Sequence, residues 1–459
     1  MDQPPTKSRT FARAVAITSL GFLVVQLDVS IVNVALARIG AALATDLSSL
    51  QWTVDGYTLA FAALLLSAGA LGDRIGARRV FLYGMAVFTA ASFGCGLARG
   101  PAVLIAARVV QGVGAAMLMP CSLALLSFAS GGRGDLKAKG IAIWTAAGGV
   151  ALAAGPVLGG IMVEHLGWQS IFFINIPIGM AAIVLARAYL EETPVKTEKA
   201  PFDLWGQLLA VAAPLLLTAA IIEGGAGGWA SPFMLFGLPA AACALIAFIV
   251  VERRHRAPLL PMSLFAEPGF SVANFIGLVF NFTTYGMIFA LSFYFQQTLH
   301  YSPSLTGLAF APFLGVIIVS NVVSGPVIAA NGVRLPLLCG LGIGAVGFLL
   351  LVPIDADTTY AGLVWRLVLL LGGTSFAVPA MTTAVLSSAP HSMAGAASGA
   401  LNTIRQSAGA IGVAVFGSLM SIGIVPGMRV SFALSAALLA LALAATLVYL
   451  PRIRKQPPA

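Results

Sequence analysis

Apolar residues fill this 459-residue chain in long stretches, each closed by a short polar segment. A helix needs about 20 such residues to cross a ~30 Å hydrocarbon core. Fourteen stretches qualify, at 13–35, 50–71, 80–98, 102–126, 140–162, 168–190, 204–223, 232–251, 269–297, 304–330, 335–353, 361–386, 396–421 and 428–450. No run alternates polar and apolar positions, which excludes an outer-membrane barrel. The pattern predicts an all-α membrane protein with 14 transmembrane helices. Glycine and proline recur inside the stretches, and membrane helices tolerate both, using small residues for close packing.

Composition excludes a water-soluble fold. Charged residues make up 9% of the chain and hydrophobic ones 59%, where soluble domains carry roughly 25% charge. The net charge of +9 forms no basic stripe, so a nucleic-acid partner is not expected. The basic residues mark loops instead. With the N-terminus in the cytoplasm, that side receives Lys7, Arg9, Arg13, Arg74, Arg78, Arg79, Arg133, Lys137, Lys139, Arg187, Lys196, Lys199, Arg253, Arg254, Arg256, Arg334, Arg452, Arg454 and Lys455. The opposite loops hold only Arg38, Arg99 and Arg429, while Arg108, Arg366 and Arg405 fall inside stretches. This asymmetry places both termini in the cytoplasm, and the Ala, Gly and Arg richness suggests a bacterial inner (plasma) membrane. The start MDQPPTKSRT has no small-residue cleavage site, so the first stretch reads as an uncleaved anchor.

Chemistry-bearing clusters are sparse. Cys95, Cys121, Cys243 and Cys339 lie inside stretches at no metal-ligand spacing, and read as small buried hydrophobes. His165, His255, His300 and His391 are assigned to loops. Neither a metal site nor an enzyme is expected, and without GxxxxGK[ST] no nucleotide powers the protein directly.

A duplication is visible. Gly69, Gly76, Arg78 and Gly84 match Gly325, Gly332, Arg334 and Gly340 at a constant offset of 256. Arg108, Gly112, Gly114 and Pro120 similarly resemble Arg366, Gly372, Gly373 and Pro379, with a slip of one to three residues. The expected organisation is an N-terminal six-helix bundle (1–190), a cytoplasmic linker (191–203) and an inserted helix pair (204–252). A cytoplasmic loop (253–268), a C-terminal six-helix bundle (269–450) and a basic cytoplasmic tail (451–459) follow. An inserted pair preserves orientation, so the two halves are parallel repeats of the kind transporters rock about a midplane site.

Intramembrane charge is the strongest functional signal. Asp28 lies about 15 residues beyond Arg13, roughly 22 Å into the membrane at 1.5 Å per residue. An ionised carboxylate there costs on the order of 3 kcal/mol and needs a partner, water or a proton. It is either a proton carrier or half of a structural ion pair. Arg108 enters from the opposite face to a depth of roughly 9 Å, so both occupy the outer half of the membrane. Arg108 either couples to Asp28 or braces its helix. Asp55, in Trp52-Thr53-Val54-Asp55-Gly56-Tyr57, is a candidate second proton site. Its alternative is a carboxylate reaching headgroup water beside aromatic-belt anchors. The repeat equivalent of Asp28 is Thr284, and no acid occurs in the last six stretches, so proton handling is assigned to the first half. Asn33, Tyr57, Gln111, Asn281, Tyr285, Asn402 and Arg405 are candidate cargo contacts or interhelical hydrogen bonds.

Several elements resemble the major facilitator superfamily, and within it the fourteen-helix drug:proton antiporters of the EmrB and QacA type. Leu27 to Leu36 is similar to LDxTIVNVALP, with Ser30 replacing Thr and Ala37 replacing the final Pro. Gly69-ALG-Asp73-Arg74-I-Gly76-A-Arg78-Arg79 resembles the GxLaDrxGrkxx loop. Arg108-VVQ-Gly112-V-Gly114 resembles the fourth-helix motif, and Gly148 with Gly155-Pro156-VL-Gly159-Gly160 the fifth-helix antiporter motif. Trp168-QSIFFI-Asn175-I-Pro177 departs from WRWIF at Ser170. The resemblance implies the major facilitator fold and proton-coupled efflux of amphipathic, cationic or neutral aromatic drugs or metabolites, without a cofactor beyond the proton motive force. It implies a cytoplasmic gate at Gly69, Asp73, Arg74, Gly76, Arg78 and Arg79 that latches one state, where positive-inside retention is the plainer reading. The partners implied are small amphipathic molecules, protons and the lipid bilayer, with an accessory envelope protein left open. A transporter of one dedicated solute or natural product, or a transporter-derived receptor, is the alternative.

Overall fold

The computed structural model describes residues 5–195, 203–228, 230–255, 258–390 and 393–450. Lys196, Lys199, Arg256, His391 and the tail bearing Arg452, Arg454 and Lys455 lie outside the described residues, as do the side chains of Lys7 and Arg9.

The helices are α1 Pro5–Leu43, α2 Leu47–Ile75, α3 Ala77–Gly96, α4 Pro101–Ala129, α5 Gly134–Leu166, α6 Ser170–Phe173, α7 Asn175–Tyr189 and α8 Leu204–Gly227. They continue as α9 Pro232–Arg254, α10 Pro268–Phe293, α11 Pro303–Asn331, α12 Arg334–Leu351, α13 Tyr360–Ser387, α14 Ala394–Leu419 and α15 Ile424–Tyr449. The described residues contain no strand. α6 and α7 form one membrane-length rod, Ser170–Tyr189. It is interrupted just before Pro177, whose ring removes a backbone donor from the first turn of α7. Among the described residues thirteen rods are apolar and long enough to cross a membrane. The rod outside that set is α14, which is long enough but carries Asn402, Thr403, Arg405 and Gln406. Fourteen rods therefore stand where fourteen apolar stretches were expected.

Two expectations change. Cys95 and Cys121 are buried, but Cys243 and Cys339 are exposed; a thiol is apolar enough to sit on a helix surface. His165 occupies the last turn of α5 rather than a loop.

The chain forms two compact units, one of residues 1–215, 255–259 and 295–311, the other of 216–254, 260–294 and 312–459. In the first, α1 packs along α5, and both α2 and α3 along α4. In the second, α10 packs along α14, and α12 along α13 and α15.

The offset of 256 reappears as matching geometry. Gly76 and Gly332 each end a helix with positive φ, +99° and +72°, a conformation that strains any residue bearing a Cβ. At Gly84 an added Cβ would lie 3.0 Å from the Gly114 carbonyl oxygen on α4; at Gly340 it would lie 2.6 Å from that of Gly373 on α13. Arg78 Nη2 donates to the Arg187 carbonyl at 2.7 Å, near the end of α7. Its equivalent Arg334 donates through Nη2 to the Leu447 carbonyl at 3.0 Å, near the end of α15. Each arginine thus donates to a carbonyl at the negative end of a helix of its own unit, α7 for Arg78 and α15 for Arg334.

Asp46 caps α2, its carboxylate accepting from the Ser49 backbone N–H at 3.0 Å. The Ser49 hydrogen bonds hold its pKa below the usual carboxylate value. A lowered folded-state pKa contributes stability above the unfolded value that is lost as pH falls through the folded one. Asp46→Ala should therefore cost about 1 kcal/mol at neutral pH, and thermal unfolding should show the difference between variant and parent shrinking below about pH 4.

Candidate functional site

The first unit gathers several of its buried polar side chains at one point. Asp28 of α1 and Gln111 of α4 are 0% exposed, and Arg108 of α4 is 1% exposed. Arg108 Nη1 donates to Asp28 Oδ2 at 2.5 Å and to Gln111 Oε1 at 2.6 Å. Gln111 Nε2 donates to Asp28 Oδ1 at 2.8 Å and to Ser92 Oγ of α3 at 2.7 Å. Asn175 Nδ2 of α7 donates to Asp28 Oδ1 at 3.0 Å and lies 3.3 Å from Ser92 Oγ. Arg108 also donates through Nε to the Thr53 carbonyl of α2 at 3.0 Å. Its guanidinium lies 4.3 Å from the centroid of the Tyr57 ring and 5.8 Å from that of Phe172, within cation–π range.

Five rods therefore converge on one ion pair. A buried pair offsets its desolvation only when the remaining lone pairs and protons also find partners. Here Asp28 accepts from three side chains, and Arg108 donates to a carboxylate, an amide oxygen and a main-chain carbonyl. Sequence reasoning brought Asp28 and Arg108 together. It missed Ser92 and Asn175, for which the available signal was a polar side chain inside an otherwise apolar stretch. Gln111 and Tyr57 belong to this network, and Tyr57 is 0% exposed rather than an aromatic-belt anchor. Asn33, also buried, donates to the Val29 carbonyl of its own helix at 3.0 Å.

Asp55 is likewise 0% exposed, and among the described residues neither of its carboxylate oxygens has a hydrogen-bond partner. The headgroup-water alternative does not hold, because α2 continues eight residues before Asp55 and neighbouring helices cover it.

The glycines of α5 divide between two neighbours. A Cβ on Gly148 would run into the Phe22 ring, on Gly155 into Ser30, and on Gly159 into Ile31, so three glycines press α5 onto the helix carrying Asp28. Gly160 instead faces the Pro303 carbonyl, and the Pro156 carbonyl faces Gly307, both on the first turns of α11. The five residues do not share one face, because Gly159 and Gly160 are about 100° apart on a helix. Trp144 adds a ring stacked on Phe22 at 3.8 Å.

The segment expected as a loop is helical on both sides of Gly76, with Gly69 to Ile75 ending α2 and Ala77 to Arg79 opening α3; Gly69 approaches Pro120 of α4, and Gly76 turns the chain into α3. The Arg78 backbone N–H donates to Glu192 Oε1 at 3.0 Å, and the Ala77 N–H to Thr193 Oγ1 at 2.8 Å. Arg79 pairs with Glu192 at 3.5 Å. Arg78 and Arg79 thus have partners within their own unit, and residues 192–193 cap α3. Asp73 and Arg74 sit in the last turn of α2. At the far end of that linker Asp203, 3% exposed, caps α8 through the Gly206 N–H at 2.8 Å and faces His255 at 3.5 Å.

In the second unit Arg405 Nε of α14 donates to Asn281 Oδ1 of α10 at 3.1 Å. Asn402 Nδ2 donates to the Ser398 carbonyl of its own helix at 3.0 Å. Tyr285 is half-buried one turn beyond Asn281.

The profile of the Major Facilitator Superfamily matches residues 18–226 and 202–413. The chain belongs to the major facilitator superfamily. It is 36% identical over 448 residues to the methylenomycin A resistance protein of Bacillus subtilis (strain 168), covering 96% of this chain and 95% of that one. It is 36% identical over 414 residues to the multidrug resistance protein Stp of Mycobacterium tuberculosis (strain CDC 1551 / Oshkosh), covering 90% of this chain and 76% of Stp. Its fold resembles that of a bacterial homologue of the human lysosomal transporter Spinster, with a TM-score of 0.66 at 14% identity, covering 99% of this chain and 100% of the other. In the superfamily member described here, Asp28 and Arg108 form a charge pair buried in the first unit.

Proposed function

We propose that this superfamily member is a proton-coupled efflux antiporter of amphipathic drugs or metabolites, working by alternating access in a bacterial inner membrane with both termini cytoplasmic. One observation carries the reading: a fully buried carboxylate, Asp28, is paired at 2.5 Å with a fully buried arginine. Protonating Asp28 removes the charge that compensates Arg108, and an uncompensated buried charge is costly. Taking up the proton is thereby tied to a rearrangement of the helices that hold Arg108. Gln111 and the Thr53 carbonyl give the guanidinium other acceptors during that movement. The relatives' names, resistance to methylenomycin A and to multiple drugs, support export as the direction. They favour a dedicated cargo and a broad one equally, at the same 36% identity.

The energetics assign a role to Asp55. A proton entering across 100 mV supplies about 2.3 kcal/mol, and one pH unit about 1.4 kcal/mol. One proton exchanged for one monovalent cation moves no net charge and uses only the pH difference. Using the voltage requires a second proton, or a cargo that is not a cation. Asp55, buried with no hydrogen-bond partner among the described residues, is the proposed second site. Asp55→Asn should then reduce the voltage dependence of transport while some pH-driven exchange persists. Voltage clamped with potassium and valinomycin in reconstituted vesicles measures this, and an unchanged voltage dependence assigns Asp55 to structure.

The segment from Gly69 to Arg79, the end of α2 and the start of α3, is proposed as the cytoplasmic gate, with Asp73 and Arg74 as its latch. The glycines of α5 are proposed to keep α1 and α5 moving as one body. Export itself is tested with a dye panel in vesicles under an imposed pH gradient. Efflux of several dyes that stops when the gradient collapses supports the broad reading, one transported compound supports the dedicated one, and no movement of any compound rejects both.

A further inference from the structure

We infer that the cargo carries a carboxylate or comparable anionic group, and that Arg405 of α14, framed by Asn281 and Tyr285 of α10, binds it. This rests on the export reading above and adds the charge of what is exported.

Arg405 is the twelfth residue of the 26-residue α14, roughly 17 Å from its start at 1.5 Å per residue. It therefore sits near the middle of the rod, the depth at which transporters of this architecture bind cargo. A guanidinium there needs a counter-charge. Arg108 obtains one in the first unit, from Asp28. Among the described residues Arg405 pairs with no carboxylate, its side chain donating to Asn281; Glu223 of α8 and Glu252 of α9 also belong to its unit, and Glu252 accepts from the Leu260 N–H at 2.9 Å. From Pro268 to the C-terminus the only acids are Asp355 and Asp357, both in the loop between α12 and α13. Asp355 is occupied there, accepting from Thr358 Oγ1 at 2.7 Å and the Asp357 N–H at 3.1 Å.

The guanidinium is held and yet open. Its Nε is fixed on Asn281, a residue only 1% exposed, while among the described residues Nη1 and Nη2 meet no protein acceptor. Gly277, one turn before Asn281, leaves room for the stem, since a Cβ there would lie 3.2 Å from Arg405 Cγ. Gly409, one turn after Arg405, leaves room for the Tyr285 ring, 3.3 Å from its would-be Cβ. Arg405, Tyr285, Thr284 and Asn402 all retain partial exposure, so a ligand can reach them. Two parallel N–H donors on a planar fork match the two oxygens of a carboxylate, and the Tyr285 ring packs at Gly409, one turn along α14. Asp28, already compensated by Arg108, Gln111 and Asn175, offers a cationic cargo no equivalent site. An anionic cargo also suits the energetics, because an inside-negative voltage drives the entering proton and the leaving anion alike.

The test is binding to the purified full chain in nanodiscs, with protein-free nanodiscs subtracted. The probes are the fluorescent butyric acids of naphthalene, anthracene and pyrene and their matching primary amides. At least one carboxylate should bind about tenfold more tightly than its amide, the worth of a charge-assisted pair. Arg405→Gln should bring that ratio to about one with amide binding retained, while Arg405→Lys keeps part of the preference, since a point charge replaces the fork. A ratio at or below one throughout the series in the unaltered protein, or no carboxylate binding at all, overturns the inference without any variant having to fold. So does a preference that survives Arg405→Gln. Export fails separately: a carboxylate preference with no gradient-driven movement of any dye rejects export and leaves the anion site standing. Gradient-driven export without the preference does the reverse.

Discussion

Asp28→Asn should lower the thermal unfolding midpoint more than the double variant Asp28→Asn, Arg108→Gln. The single change leaves the Arg108 guanidinium charged at 1% exposure, with only uncharged amide and main-chain oxygens as acceptors. Breaking a buried pair from one side costs about 3–5 kcal/mol, whereas replacing both partners by neutral groups of similar size can be close to neutral. Arg108→Gln alone is expected to fall between the two, because Asp28 retains the amide donors of Gln111 and Asn175. Unfolding in detergent, followed by tryptophan fluorescence, gives the order. Equal midpoints for the single and double variants would mean that Asp28 and Arg108 do not depend on each other for compensation, and the charge pair would lose its place in the mechanism.

Gly112→Val is the second change with a large expected effect. A Cβ on Gly112 would press into the Tyr57 carbonyl oxygen and lie 3.0 Å from the Ala60 side chain, so α2 and α4 touch backbone to backbone there. Main chain cannot rotate aside as a side chain can. Overpacking of this kind costs about 1–3 kcal/mol or more. It also moves α2 away from α4, one turn from where Arg108 holds the Thr53 carbonyl and stacks on Tyr57. Gly112→Val should therefore lose both stability and gradient-driven transport, whereas Gly100→Val, at a position with nothing within 4 Å of an added Cβ, should lose little of either. Comparing the two in the same vesicle assay separates local packing from a general intolerance of glycine replacement. Equal losses would show that the α2–α4 approach has no special place.

How much of this was legible depended on whether the signal was local. Apolar runs are compositional, and they gave the rods. Gly76 with Gly332, and Arg78 with Arg334, could be paired from sequence because duplication keeps residues at equal spacing. Asp28 and Arg108 stood out because ionised groups are rare in hydrocarbon. Ser92 and Asn175 did not, since serine and asparagine occur in membrane helices for many reasons, and their place in the network, Asn175 on Asp28 Oδ1 and Ser92 accepting from Gln111 and Asn175, depends on how α3 and α7 pack. The surroundings of Asp55 were misjudged for a related reason: position along a helix measures depth, but burial depends on the neighbouring rods. Gly159 and Gly160 are adjacent in sequence yet serve α1 and α11 separately, a division that follows from rotation about the helix axis and is invisible in the motif.

Proton coupling through Asp28 is tested most directly in proteoliposomes, comparing the unaltered chain with the Asp28→Asn, Arg108→Gln variant at equal reconstituted amounts and matched thermal stability. With an imposed pH gradient and voltage clamped at zero, the unaltered chain should concentrate a transported dye against its gradient, and each transport cycle should carry protons that a trapped pH indicator registers. The variant should at most equilibrate the dye, with no proton signal above that of protein-free vesicles. Uphill transport by the variant, with undiminished proton movement, would contradict the assignment of Asp28 as the coupling carboxylate.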